Sequence, residues 1–146
     1  MTNWRENIIT DTAQIRELLA GTKTIAVLGI KTEAQANQPA FYVPSYLQNA
    51  GFEIIPVPVY YPQVTHILGK QVYRRLVDIP IEVDLVNVFR RSKDVYPHLE
   101  KKKKKNPRAV WMQSGISDEA VAERLAKEGI KVVQDRCLMV DHRRLA

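Results

Sequence analysis

The triplet Gly29-Ile30-Lys31 stands at the end of the apolar run Thr24–Leu28. It suits an anionic ligand: a residue with no side chain lets backbone N–H groups approach phosphate oxygens, and the lysine adds a point charge. Three further segments end apolar runs in the same way. Pro58-Val59-Tyr60-Tyr61 offers aromatic faces on which a base can stack. Phe89-Arg90-Arg91-Ser92 offers guanidinium groups able to grip a phosphate through forked hydrogen bonds. Gln113-Ser114-Gly115-Ile116 is a small-residue loop just before a helix, next to its positive end. Three of them have a plainer use: a tight turn at Gly29, tyrosines capping the sheet edge, arginines in solvent. Weight therefore rests on the four segments ending similar runs, not on any one of them.

Catalytic chemistry is thin. His66, His98 and His142 show no metal-ligand spacing with one another or with Cys137. There is no G-x-S-x-G elbow and no phosphate-binding loop of the G-x-x-x-x-G-K type. The dinucleotide fingerprint G-x-G-x-x-G is incomplete, because residues 30–34 contain no second glycine. Nor does the second run end in the Asp or Glu that would hold a ribose diol. Cys137 reads first as a small buried hydrophobe.

The elements that must position these residues follow from periodicity. Ile15, Leu18 and Leu19 share a helical face after Thr10 or Asp11 as a cap, predicting a helix within residues 1–20 that packs on the remainder. A second helix opens at Pro39, carries Val43, Leu47 and Ala50, and stops at Gly51, with Pro44 near its start. A third has Ser117 as its expected cap, Val121 and Leu125 on one face, and Gly129 as its terminator. Between them lie five apolar runs: Thr24–Leu28, Phe52–Val57, Asp84–Phe89, Ala109–Met112 and Lys131–Val133. Strands that are apolar throughout and alternate with helices predict an α/β fold. The expected form is a Rossmann-like three-layer αβα sandwich with a five-stranded, mainly parallel sheet of order 3-2-1-4-5. Ligands of such sheets lie off the carboxyl ends of the strands, where the four segments above begin.

A chain of 146 residues is expected to form one domain, with residues 1–146 as a single unit. No apolar run approaches the ~18–20 residues of a membrane span. No signal peptide is visible, and one cysteine suits a reducing compartment, so a soluble cytoplasmic protein without membrane contact is expected. The net charge of +6 comes from Lys101–Lys105; without that tract 17 cations face 16 anions. A local tract is not the surface-wide field that follows a nucleic-acid backbone, so nucleic acid is not the expected partner. The tract also interrupts the apolar stripe that Val95 and Leu99 begin.

The order of several motifs resembles the small stand-alone coenzyme A-binding proteins of bacteria and plants. The match rests on Gly29 after Ile-Ala-Val, Tyr42-Val-Pro44, Ile55-Pro-Val57, Ile67-Leu-Gly69, Val88-Phe-Arg90, Val110-Trp-Met-Gln-Ser-Gly115 and Asp135-Arg-Cys-Leu-Met139. These proteins are similar to the nucleotide-binding domain of the succinyl-CoA synthetase α subunit. The resemblance implies a Rossmann-like fold that binds coenzyme A, with Gly29–Lys31 facing the pyrophosphate. It implies that Pro58–Tyr60 and Phe89–Ser92 flank the adenosine and that Gln113–Gly115 borders the pantetheine. This chain departs from the pattern where Pro58-Val59 replaces a common Asn-Pro pair, and at the lysine tract. The expected function is binding of coenzyme A or an acyl-CoA, as monomer or homodimer, with no catalysis of its own. The alternatives are a small NAD(P)-dependent or partner-dependent enzyme, and an interaction module in which Lys101–Lys105 meets acidic partners. If Cys137 lies near the pantetheine, it can form a mixed disulfide with the coenzyme A thiol under oxidising conditions.

Overall fold

A computed structural model describes residues 3–91 and 107–145; Ser92, His98 and Lys101–Lys105 lie outside them. The strands are β1 (Thr24–Leu28), β2 (Glu53–Val57), β3 (His66–Ile67), β4 (Lys70–Gln71), β5 (Leu85–Val88), β6 (Ala109–Met112) and β7 (Lys131–Val133). The helices are α1 (Thr12–Ala20), α2 (Pro39–Asn49), α3 (Glu119–Lys127) and α4 (Leu138–Leu145). Five strands form one parallel sheet, and β3–β4 form a separate antiparallel hairpin. On one sheet face Ile25, Val27, Leu85 and Trp111 pack with Ile15 of α1, Leu47 of α2 and Leu138 of α4. On the other, Ala26, Leu28, Val86 and Val110 pack with Val121 and Leu125 of α3 and with Leu76 and Ile79. Because side chains alternate across a strand, a continuous apolar run supplies both layers at once. The three-layer α/β architecture is the expected one.

The strand order is not. The sheet runs β2-β1-β5-β6-β7, so its five strands lie 2-1-3-4-5 in chain order rather than 3-2-1-4-5. This is the order of flavodoxin-like sheets, a variant within the Rossmann-like class. The third run pairs with β1 (Val27 opposite Asn87) and not with β2. Pro56 gives a reason. A proline has no N–H for a ladder, so a strand containing one belongs at an edge, whereas 3-2-1-4-5 would place it inside. The outer side of β2 is met by the chain leaving the hairpin, where the Tyr73 N–H donates to the Pro56 carbonyl at 2.9 Å.

The N-terminal segment packs on the sheet and also protects its other edge. Ile8 bridges Val132 in parallel register, and the Ile9 N–H donates to the Val132 carbonyl at 2.8 Å. Asp11 is the residue before α1. For α3 the cap is Asp118, not Ser117: its carboxylate accepts the Val121 N–H at 3.1 Å. An aspartate there both satisfies an open N–H and opposes the positive helix end.

Candidate functional site

Register brings the four loops together. Leu28 sits opposite both Val57 and Val88, and Val88 opposite Met112, so β2, β1, β5 and β6 end on one level. Three inter-strand spacings separate the outer two, about 14 Å in all. The strand order reverses between β1 and β5, which is where an open parallel sheet leaves its crevice.

Gly29 lies at that reversal. Its φ is +89°, and its N–H donates to the Val57 carbonyl at 2.9 Å. A Cβ there would stand 2.9 Å from Arg90 Cγ and 3.3 Å from the Phe89 carbonyl carbon. Left-handed backbone and close approach both require glycine. Ile30 is buried, so its side chain belongs to the core and only its backbone faces the loop. The Lys31 ammonium donates to the Gln38 carboxamide oxygen beside the start of α2. An ammonium carries three donors, so this contact engages one of them. The Lys31 backbone N–H donates to the Ala40 carbonyl at 3.1 Å. That carbonyl would ordinarily receive the N–H four residues on, but residue 44 is proline and has none. Pro44 thereby docks the β1–α2 loop onto the helix.

The loop after β2 begins with buried Pro58 and then exposes Val59 and Tyr60, the latter to 64%. Arg90 faces it: its Cζ is 5.6 Å from the Tyr60 ring centroid, and its Nη1 is 3.5 Å from the Tyr60 hydroxyl. Phe89 is half-buried against the α1–α2 layer and Arg91 is exposed. Gly29 and Tyr60 thus both meet Arg90 beside the β1–β5 reversal, and Lys31 is tied to Gln38 next to the start of α2.

The loop after β6 is knit to the chain after β7. The Gln113 carboxamide oxygen accepts the Leu138 N–H at 2.9 Å, opening α4. Asp135 accepts the Gly115 N–H at 2.6 Å, and the Arg136 carbonyl accepts the Trp111 indole N–H at 2.8 Å. Arg136 forks onto the nearly buried Asp141 at 2.7 and 2.9 Å; that hydrogen bond, with the attraction of the two charges, raises the arginine pKa against burial. Ser114 is exposed, and Cys137 is half-buried against the layer that holds Leu138. Asp135 and Arg136 therefore shape this loop. Their only sequence signal is their place in the Asp-Arg-Cys motif.

Two other features escape sequence reasoning. Asn87 is fully buried on β5, and neither of its amide atoms has a hydrogen-bond partner among the described residues. Arg74, from beyond the hairpin, binds the loop after β2. A cavity of about 180 Å³ occupies the opposite, amino end of the sheet, between Glu17, Asp84, Arg108 and Lys131. Both charge signs line it, which suits a polyanion poorly. No cluster of three His, Cys, Asp or Glu side chains able to hold a metal gathers among the described residues, and none of their helices is long and apolar enough to cross a membrane.

Comparison with known proteins gives this arrangement a context. The profile of the CoA binding domain family matches residues 23–143. The Bacillus subtilis (strain 168) protein YneT, described as uncharacterized, is 33% identical over 130 residues, covering 89% of this chain and 93% of its own. The structure of cell-free ID.343 from Thermus thermophilus superposes with a TM-score of 0.82 at 37% identity, covering 94% of this chain and all of the other. A hypothetical protein from Pyrococcus horikoshii OT3 does so with a TM-score of 0.80 at 28% identity, covering 93% and 92%. Profile, sequence and fold agree over nearly the same span, and the chain belongs to the CoA binding domain family.

Proposed function

We propose that the protein binds coenzyme A or an acyl-CoA across the carboxyl ends of β2, β1, β5 and β6, with no catalysis of its own. The observation that carries this reading is the junction of Gly29 with Arg90 at the β1–β5 reversal, with Tyr60 standing over the guanidinium. A bare glycine turn admits a pyrophosphate to backbone N–H groups. Lys31 and Arg90 supply positive charge on either side, and the Tyr60 ring offers a face for the adenine. The loop at Gln113–Gly115 then borders the pantetheine arm.

Isothermal titration with coenzyme A, and with NADPH as control, tests it. Binding of coenzyme A alone, at micromolar Kd, is expected; preference for NADPH overturns the reading. Lys31→Ala is expected to weaken coenzyme A binding by about 1.5–3 kcal/mol, the worth of a hydrogen bond to a charged group. An unchanged Kd removes Lys31 from the site.

A further inference from the structure

The chain from Pro58 to Thr65 contains neither helix nor strand, yet its carbonyls converge on one group. Arg74 Nη2 donates to the carbonyl oxygens of Tyr61 at 3.1 Å, Pro62 at 3.3 Å and Val64 at 2.6 Å, and Nη1 donates to that of Tyr60 at 3.3 Å. Nη2 carries two hydrogens, so its three acceptors share them, and the whole forms an exposed, charge-assisted cluster around one guanidinium. Inside it Tyr61 holds a φ of +63°, a conformation that side-chain-bearing residues adopt only when their surroundings impose it. Tyr60, whose carbonyl is one of the four, carries the ring that faces Arg90 across the crevice mouth.

We propose that Arg74 is a positioning residue for ligand recognition. Its hydrogen bonds go to backbone carbonyls of the loop, not to the Tyr60 ring or to Arg90. It fixes the loop after β2 in a single turn, so that the Tyr60–Arg90 wall exists before a ligand arrives. Pre-ordering a loop removes an entropic cost that binding would otherwise carry. The ligand named below rests on the coenzyme A reading, whereas the effect on the loop does not.

Two variants test it, Arg74→Ala and Arg74→Lys, since lysine keeps the charge but lacks the planar fork. Hydrogen exchange of the Val64 amide, whose N–H donates to the Tyr61 carbonyl at 3.1 Å, is compared with titrations of coenzyme A and of 4′-phosphopantetheine, which lacks the nucleotide. With Arg74→Ala, that exchange is expected to accelerate about tenfold or more, and coenzyme A affinity to fall by about tenfold. Affinity for 4′-phosphopantetheine and the melting temperature stay close to wild type, and Arg74→Lys recovers only part of the loss. A purely structural role would weaken both ligands equally, and that result overturns the proposal. Wild-type exchange rates in Arg74→Ala overturn it as well. Should the wild-type protein bind neither ligand, the coenzyme A reading falls, while the exchange rates still decide whether Arg74 sets the loop.

Discussion

At the scale of single residues, a side chain that is absent and one that is unsatisfied matter as much as those that make contacts. Gly29 is required twice, by its φ of +89° and by Arg90 where a Cβ would go. The sequence shows the glycine; the arginine against it becomes visible only when β1 and β5 are neighbours. Asn87 is the reverse case. It lies fully buried between Val27 and Trp111 in register, with both amide atoms unpartnered among the described residues. An unsatisfied buried polar group costs about 1–3 kcal/mol, and replacement by an apolar group of similar shape is neutral or stabilising. Asn87→Leu is therefore expected to raise the free energy of unfolding by about 1–2 kcal/mol, read from urea denaturation. A clear loss of stability would show instead that the amide holds a bound water or another polar group. Within an apolar run an asparagine is easily read; whether its amide finds a partner is a tertiary fact.

At the scale of elements, punctuation was largely legible and connections were not. Pro39, Gly51 and Gly129 begin or end helices where expected, because proline at the first helical position and left-handed glycine after the last are local requirements. Pro44 also has a non-local consequence. By withholding its N–H it leaves the Ala40 carbonyl for Lys31. Pro44→Ala restores the helical hydrogen bond and makes the two donors compete. The expected result is stability equal to or above wild type, with Lys31 less firmly held and coenzyme A affinity reduced by about three- to tenfold. Equal affinity in a titration would dissociate the proline from the site. The chain after β7 makes a second test. Arg136→Ala leaves Asp141, 5% exposed, as a buried charge without its forked partner. The expected loss is about 3 kcal/mol in equilibrium unfolding. A loss under 1 kcal/mol would mean that α4 repacks to bring Asp141 to water.

At the scale of the whole molecule, the amino ends of β1 and β5 are joined by Asp84, whose Oδ2 accepts the N–H groups of Lys23 at 2.8 Å and Thr24 at 3.1 Å. Burial pushes its carboxyl pKa up, but those two hydrogen bonds, the Thr24 hydroxyl and the charge of Arg108 outweigh burial and hold it below the ordinary value. A carboxylate with a depressed folded pKa contributes stability fully above the unfolded value of about 4 and loses it as pH falls through the folded one. Wild-type stability is thus expected to decline below about pH 4 partly through Asp84. In Asp84→Asn, less stable at neutral pH, that share of the decline disappears, and urea titrations from pH 7 to about 2.5 show a shallower acid limb. Parallel acid limbs would assign the decline to other carboxylates.

Strand order also belongs to the whole molecule. The apolar runs and their helices establish an α/β sheet with its loops at one end, since a strand buried on both faces needs a layer on each. They leave open which side of β1 the third strand takes. Pro56 carried the one local sign, a missing ladder donor that marks β2 as an edge. The choice itself is made by chain packing: the segment leaving the hairpin meets the edge of β2 through Tyr73, and β5 pairs with the other side of β1. By itself the sequence determined the class of fold and the residue types gathered at the carboxyl ends, because both follow from periodicity and from local backbone requirements. Only the tertiary structure decided which loops adjoin, and so that Gly29 meets Arg90 and Arg74 reaches Tyr60, because contacts between residues far apart in the chain depend on strand order and register rather than on local pattern.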